Sequence, residues 1–529
     1  MLQIERVTLT PDESEDLLLQ KAAAVLRVPA GAVEHLQILR KAVDARDGVR
    51  FVYTLRAAVR NEKNVLKRCR NKLVSQVDEA VYQLPPPVSP PEIPPVVVGA
   101  GPGGLFCALA LAHCGVRPIL LERGWNVERR GSDVEHFWET GELDLESNVP
   151  FGEGGAGAFS DGKLNTGTRD PRHRFILENL VRFGAPESIL SDAKPHVGTD
   201  YLRQVLVRLR RELESLGCEI RFGHRLTGLE IAGGHVKALE IAGPQGAYRL
   251  PAERTALALG NGARDTFAML HAAGVPMEPK PLAIGVRIEH RQSDIDLAQY
   301  KSLAGHPALP PSSYKLSCHL ENGRGVFSFC VCPGGQVVAA ASEARRAVTN
   351  GMSRYARDEI NCNGGLLVSV TPEDFPGTGP LAGIAFQREW EERAFASGGG
   401  RFFAPAQRVE DFLAGRPSTG PGAVLPTYRP GVTWCDLREV LPEFVWRSLA
   451  EALPILDRKL HGFAHPDAVL TAIETRSSCP LRILRDETGQ SAIRGLWPCG
   501  EGAGYAGGIM SAAADGLHTA EWILAELSE

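Results

Sequence analysis

Apolar and polar positions follow different periods in different parts of the chain. Residues 3–9 alternate as a half-buried strand does, and residues 14–26 repeat at the helical interval with Ser14 placed to cap them. Residues 49–59 read as a second strand and 61–81 as a second helix. Together these elements predict a small α+β module over residues 1–84. The prolines between 84 and 95 have fixed φ and no amide hydrogen, which excludes helix and central strand. Residues 85–95 therefore read as an extended, semi-rigid linker and a domain boundary.

Beyond the linker the pattern becomes one of short, wholly apolar strands that run into helices. Residues 96–98 and 117–121 are strands, and the stretch 105–111 between them is helical. Residues 201–216 place Leu202, Val205, Leu206, Leu209 and Leu213 on one helical face, with strands expected near 218–222, 226–231, 235–241 and 255–259. From about residue 271 to 466 short strands and Gly/Pro-rich turns take over, as in an inserted domain. Residues 495–501 and 509–527 then return to a buried strand, a glycine turn and a long helix. The expected class is α/β: a discontinuous Rossmann-like domain in two parts, 96–270 and 467–529, an inserted β-rich α+β substrate or cap domain at 271–466, and the small N-terminal α+β domain.

Composition narrows this picture only a little. The chain has 529 residues, is 43% hydrophobic and 23% charged, and carries a net charge of −5, which disfavours a protein built chiefly to coat nucleic acid or an anionic membrane. Its 11 cysteines follow no framework spacing, which predicts reduced thiols and a cytoplasmic protein. Asp12, Glu13, Glu15 and Asp16 stand where a presequence would be basic, and no apolar run approaches the roughly 20 residues needed to span a bilayer. The local exception to the acidic balance is Arg56, Arg60, Lys63, Lys67, Arg68, Arg70 and Lys72. These read either as a solvated face or as a surface for RNA, an acidic protein or the catalytic body.

Candidate chemistry begins at Gly99-Ala100-Gly101-Pro102-Gly103-Gly104, which joins the first buried strand to its helix. In such a Gly-x-Gly-x-x-Gly turn Gly99 permits the tight bend, Gly101 lets the backbone approach a pyrophosphate, and Gly104 allows the helix to pack closely on the strand. The helix N-terminus meanwhile offers free amides. Glu122, at the end of the next strand, is placed to accept ribose hydroxyls, and Arg123 is counted with it. Gly260 and Gly500-Glu501 end two more strands far downstream, whereas a nicotinamide dehydrogenase completes its sheet sooner; this favours FAD. Gly260 then passes close to the dinucleotide, Glu501 binds its ribityl or pyrophosphate region, and the helix starting at Gly507-Gly508-Ile509 points amides at the flavin. No second fingerprint marks a domain for NAD(P)H, so a nicotinamide donor is expected only as a transient visitor.

These segments resemble the flavoproteins that share the glutathione-reductase-like FAD fold, and more closely a bacterial and plastid family of FAD-dependent dehydrogenases of unassigned substrate. The likeness covers nearly the whole chain. It is carried by Gly152-Glu153-Gly154-Gly155-Ala156-Gly157 with Phe159-Ser160-Asp161-Gly162-Lys163-Leu164, by Lys194-Pro195-His196-Val197-Gly198-Thr199-Asp200, and by Gly262-Ala263-Arg264-Asp265-Thr266. It continues in Ile284-Gly285-Val286-Arg287-Ile288-Glu289-His290, Phe329-Cys330-Val331-Cys332-Pro333-Gly334-Gly335, Asn350-Gly351-Met352-Ser353 and the run from Gly500 to Ile509. Asn261 and Gly262 depart from it, standing where histidine and serine are expected. The resemblance implies FAD and no established substrate.

The remaining candidates follow from side-chain chemistry. Gly154, Gly155, Ser160 and Lys163 can wrap the flavin edge, with the lysine favouring an anionic reduced ring. Cys330 and Cys332 fall on one face of a regular strand, as a redox pair or as inert core; no second Cys/His pair accompanies them to make a metal site. His196, His290 and His319 are candidate proton donors, and Arg287, Glu289 and Arg476 candidate pocket residues or buried ion pairs. Three functions stay open: an FAD-dependent oxidoreductase passing hydride between flavin N5 and an unidentified small molecule, an RNA-linked flavoenzyme using the basic N-terminal helix, and a non-catalytic FAD-stabilised assembly or regulatory protein.

Overall fold

The computed structural model describes residues 1–77 and 81–529. At its centre lies a five-stranded parallel sheet in the order Leu496–Pro498, Thr255–Leu257, Val96–Val98, Ile119–Glu122, Glu219–Phe222. Three pieces of chain separated by well over a hundred residues thus lie side by side, which is why none of them shows the alternation of a half-exposed strand. Val97, Leu120, Ala256 and Trp497 face one core with the helices Pro102–His113, Gly198–Ser215 and Ile509–Ser528. Their neighbours Val96, Val98, Ile119, Leu121, Leu257 and Leu496 face the opposite one, closed by helix Arg264–Ala272 and a three-stranded antiparallel sheet over Arg225–Ala232, His235–Gly243 and Gly246–Pro251. Helix Pro102–His113 is buried on nearly every side, in keeping with its uniformly apolar sequence. It packs on Ile509–Ser528 so closely that a Cβ on Gly516 would stand 2.0 Å from the Gly103 carbonyl oxygen.

The second large unit is a seven-stranded sheet in the order Ser317–His319, Gly325–Cys332, Asn361–Val370, Leu282–Arg291, Val469–Glu474, Ala404–Arg408, Val432–Trp434. Ile284, Val286 and Ile288 pack against helix Glu443–Asp457, so the intervening Gly285, Arg287 and Glu289 point the other way. Val469–Glu474 pairs with Leu282–Arg291 and Ala404–Arg408, and so belongs to this sheet rather than to the second part of the nucleotide domain expected from residue 467. The nucleotide domain resumes only after a short ladder of Met277–Pro279 with Leu481–Ile483, where the chain enters and leaves the second unit.

The N-terminal unit is an antiparallel sheet in the order Val33–Asp44, Arg50–Val59, Leu2–Leu9, Val74–Gln76. Its longest strand, Val33–Asp44, is absent from the sequence reading because Glu34, His35, Gln37 and Arg40 break the alternation. The helix expected at 61–81 is only Glu62–Cys69, followed by a strand, and residues 78–80 lie outside the described residues. The basic cluster is therefore divided among a strand, a turn, a short helix and a loop, with Arg56 buried, and forms no single helical face. Ser14 accepts the Asp16 amide in the turn before helix Leu17–Leu26, where Asp16 holds the cap position. Lys41 exchanges backbone hydrogen bonds with Ser191 and Ala193, tying this sheet to the body. The proline linker is laid onto the nucleotide domain: the Val88 amide donates to the Cys114 carbonyl at 2.9 Å and the Cys114 thiol to that of Pro85. Among the described residues no helix is long and apolar enough to cross a membrane.

A buried ionic clasp joins the two large units. Arg264 donates to both oxygens of Glu391 at 2.7 Å and to Glu343, while Arg476 and the Thr475 hydroxyl reach the same Glu391. Burial opposes the charge on Glu391, but Arg264 and Arg476 overcome it and hold the carboxyl far below the usual range. Removing one member of such a group leaves uncompensated charge in the interior. Glu391→Ala is expected to lower stability by about 3–5 kcal/mol, read as the shift in chemical-denaturation midpoint. Within the nucleotide domain, a Cβ on Gly104 would lie 1.8 Å from the Gly99 carbonyl oxygen. Gly104→Ala is expected to cost at least about 1–3 kcal/mol by forcing helix and strand apart, measured as a fall in melting temperature.

Candidate functional site

The glycine turn after Val96–Val98 opens into a cavity of about 420 Å³ whose walls come from all three strand-end segments and from the second sheet. Gly101 holds the N-cap of helix Pro102–His113, with Pro102 in the first turn. The turn is braced from outside. The Gly99 amide donates to Leu121 O and that of Gly154 to Ala100 O, both at 2.7 Å.

Glu122 is 5% exposed. One carboxylate oxygen accepts the Ala100 amide at 2.8 Å and the other accepts those of Gly124 and Gly152, each at 2.9 Å. A carboxylate offers about four acceptor positions. Three are spent on backbone, so one further donor can be accommodated where two ribose hydroxyls were expected. Beside it the Arg123 guanidinium stacks 3.9 Å above the Phe151 ring and pairs with Asp265 and Glu146. With His224, Arg225 and Leu226 these residues line one end of the cavity.

The glycine run behaves in two ways. Gly154 faces Leu206 and Gly104 faces Gly99, so both serve packing, and neither lines the cavity. Gly155 and Ser160 do line it, although the Ser160 hydroxyl is engaged by Gly157 O and the Gly162 amide. Gly101, Gly103, Gly260, Gly500, Glu501, Gly507, Gly508 and Ile509 also border it. The Gly500 amide is held by Asp515, and burial pushes the Glu501 carboxyl up to about 7 against a hydrogen bond from Asn261 and the charge of Lys280.

The wall facing this cradle is polar. Lys163, Cys330, Asn350, Glu474, Arg476 and Ser477 present there, and Lys163 pairs with buried Asp161 at 2.7 Å. Burial disfavours the Lys163 charge, but Cys332, Cys330 and Asp161 more than restore it, and its pKa lies above the ordinary value. Burial, helped by the neighbouring Cys330, pushes Glu474 upward, to about 7, against the pull of Arg287.

Several candidates lie elsewhere. His196 stacks on Tyr355, bonds its carbonyl at 3.0 Å and stays outside the cavity; burial and then Arg357 lower its pKa, so it is a neutral packing residue rather than a proton donor. His290 sits in the core of the second unit against Phe463 and Tyr314, and burial takes its pKa down to about 4. His319 is exposed on an edge strand. Glu289 is buried against Thr427 and Asn361. Arg287 and Cys332 stand behind the wall, the arginine bonding Glu474, Asn363 and the Cys330 carbonyl. Phe151, Asn165, Arg225, Thr349 and Glu474 were missed; Arg225 opens the strand Arg225–Ala232 and the others lie in irregular segments or on strands of the other unit, where local spacing carries no sign of a shared cavity.

Residues 281–477 match the family model described as FAD-dependent protein, C-terminal domain-like, and residues 1–60 match a domain of unknown function (DUF8436). Among solved structures, the flavin-dependent brominase Bmp2 has a TM-score of 0.38 at 12% identity, over 82% of this chain and 80% of its own. The Escherichia coli quinol fumarate reductase subunit FrdA has a TM-score of 0.37 at 12% identity, over 83% and 71%. An uncharacterized protein of Clostridium beijerinckii is 43% identical over 528 residues, covering 99% of this chain and 98% of that one. Residues 281–477 carry the match to the FAD-dependent C-terminal domain, and on its full-length identity the chain belongs to the same family as the Clostridium protein.

Proposed function

We propose that the protein is an FAD-dependent oxidoreductase that exchanges hydride between flavin N5 and a small organic molecule admitted beside the second sheet. The observation that carries this reading is empty side-chain volume at the cavity's glycines. A Cβ on Gly260, Gly507 or Gly508 would meet no protein atom within 4 Å, and one on Gly101 would meet only Gly155 Cα at 4.0 Å. All four border one cavity, so a bound group rather than the protein accounts for their bareness. FAD held there supplies two-electron chemistry that the side chains do not possess.

The residues divide the work by position. Amides at the start of helix Pro102–His113 favour a pyrophosphate, and Glu122 has one acceptor position left for a ribose hydroxyl. Arg123 and Phe151 close the end beyond it. At the opposite end the first turn of helix Ile509–Ser528 and the Lys163 ammonium place positive charge where a reduced ring gains negative charge. Asn350 and Arg476 offer donors to a polar substrate, and the clasp through Glu391 keeps Arg476 from swinging away. Glu474, with its pKa near 7, can hold or release a proton at the same wall.

The test is absorbance of the purified protein in the flavin bands, with extracted cofactor identified as FAD. Gly101→Val is expected to keep the native circular dichroism, because its Cβ has room, and to lose at least roughly tenfold in FAD affinity. A wild-type protein that purifies colourless and takes up no added FAD would overturn the reading.

A further inference from the structure

Behind the second-sheet wall of the cavity lies a buried group of charges beside a pair of thiols. Asp161 is fully buried and is bonded by Lys163, Arg357 and the Ser353 hydroxyl. Arg287, also fully buried, pairs with Glu474 at 3.1 Å and donates to the Cys330 carbonyl at 3.0 Å. Lys163, Arg357 and Arg287 are thus set against Asp161, Glu474 and, farther from Arg287, Glu289, and burial pushes the pKa of both glutamates up. Buried cations require a counter-charge. The remaining acidic group among them that borders the cavity is the thiol of Cys330.

The backbone at this point is bent for a purpose other than sheet pairing. Cys330 has φ of +40°, a region that residues with side chains seldom occupy. Pairing between Gly325–Cys332 and Asn361–Val370 jumps from Phe329 with Gly365 to Cys332 with Asn363, so an extra residue is pushed out between them. In a flat strand the sulfurs of residues two apart stand too widely separated to join. Here the bulge brings Cys332 Sγ back to 3.4 Å from the Cys330 carbonyl oxygen, to which its thiol donates. The neighbouring Cys332 thiol, followed by the charges of Lys163 and Arg287, pulls the Cys330 thiol down against the effect of burial. Cys330 borders the cavity whereas Cys332 stands behind its wall, which marks Cys330 as the attacking sulfur and Cys332 as the resolving one.

We propose that Cys330 and Cys332 are a dithiol–disulfide couple that opens onto the cavity, with Cys330 as its resident thiolate and small-molecule disulfides as one class of reaction partner. Against a disulfide RSSR, the Cys330 thiolate attacks one sulfur and RS⁻ leaves. Cys332 then attacks Cys330 Sγ, releasing the second RS⁻, while the Cys332 proton passes to one of the two thiolates. The net change is one S–S bond formed in the protein, one broken in the partner, and two electrons moved. Where FAD is bound, the same two electrons and the Cys332 proton can pass to the ring as a hydride equivalent; this arm rests on the function proposed above.

The experiment treats full-length protein with oxidised glutathione, removes the reagent, denatures, and counts thiols by titration and peptide mass. The wild type is expected to lose two thiols, with the peptide bearing both residues two hydrogens lighter. Cys332→Ser is expected to accumulate a glutathione adduct on Cys330, whereas Cys330→Ser acquires none at Cys332. Cys435, the other cysteine that is not fully buried, gives the background. In anaerobic reductive titration of FAD-loaded protein, the wild type takes twice the reductant per flavin that either variant takes. The couple is overturned if all 11 cysteines of the wild type remain free thiols after oxidation, or if the C332S adduct forms no faster on Cys330 than on Cys435. Protein that forms the disulfide but binds no FAD would refute the flavin reading alone.

Discussion

The carboxylate of Glu122 is the constraint on which the nucleotide side of this protein depends. It is buried, and it gathers the amides of Ala100, Gly124 and Gly152, each from a different turn. Without it three donors at the rim of the cavity would lack partners, at a cost of about 1–3 kcal/mol apiece. Local sequence explains each turn separately; the carboxylate, together with the Gly154 amide donating to the Ala100 carbonyl, explains why the turn at 99–104 and the run at 152–157 stand edge to edge. Their separation sets the width of the slot between them. Here Gly101 Cα and Gly155 are so close that the second has a hypothetical Cβ only 3.2 Å from the first.

The opposite wall is built by other physics. The parallel sheet is held by apolar burial on both faces, whereas the second sheet turns Arg287 and Glu289 away from its own core toward the junction. The two units share apolar packing, with Val338, Ala339, Phe402 and Ala404 set in the nucleotide domain's core, and are joined besides through ions and hydrogen bonds. Arg264 from the nucleotide side enters a nest of Glu391, Glu343 and Gln387, and Trp138 donates to the Ala339 carbonyl at 2.9 Å. Directional bonds of this kind contribute less net stability than an apolar seam of equal area, but they fix relative placement tightly. Fixed placement is what a cavity requires when one unit grips a dinucleotide and the other supplies the groups that face its reactive end.

Much of this was legible in the chain itself, and the limits follow from where each residue's partners lie. The glycine turn, the helix behind it, Glu122 and the return of the nucleotide pattern at Leu496–Pro498 all rest on contacts made within a strand–turn–helix, so spacing reveals them. His196 and His290 stood beside glycine and charge in the sequence, yet one lies against Tyr355 and the other against Phe463, partners more than 150 residues away. The inserted domain seemed to be made of short strands. In fact Leu282–Arg291 and Asn361–Val370 are ten residues each, their alternation masked because the face away from the core is also buried. The end of that domain was placed too early for a similar reason: Val469–Glu474 is apolar throughout and reads as readily into one sheet as the other.

The Cys330 segment departs from the regular strand geometry that would put Cys330 and Cys332 on one face. Alternation puts residues two apart on one face, but it also holds them at the full pitch of the strand, which argues against a bond between them. The departure from alternation, a left-handed residue at the bulge, turns Cys332 Sγ back toward the Cys330 carbonyl, and the Arg287 donor holds that displaced carbonyl. The same guanidinium pairs with Glu474 at the cavity wall, so the backbone distortion and the wall's charge have one origin. A shift of Arg287 would therefore alter both together: it would release the Cys330 carbonyl and leave Glu474 without its cation. The strained turn and the polar wall behave as one unit.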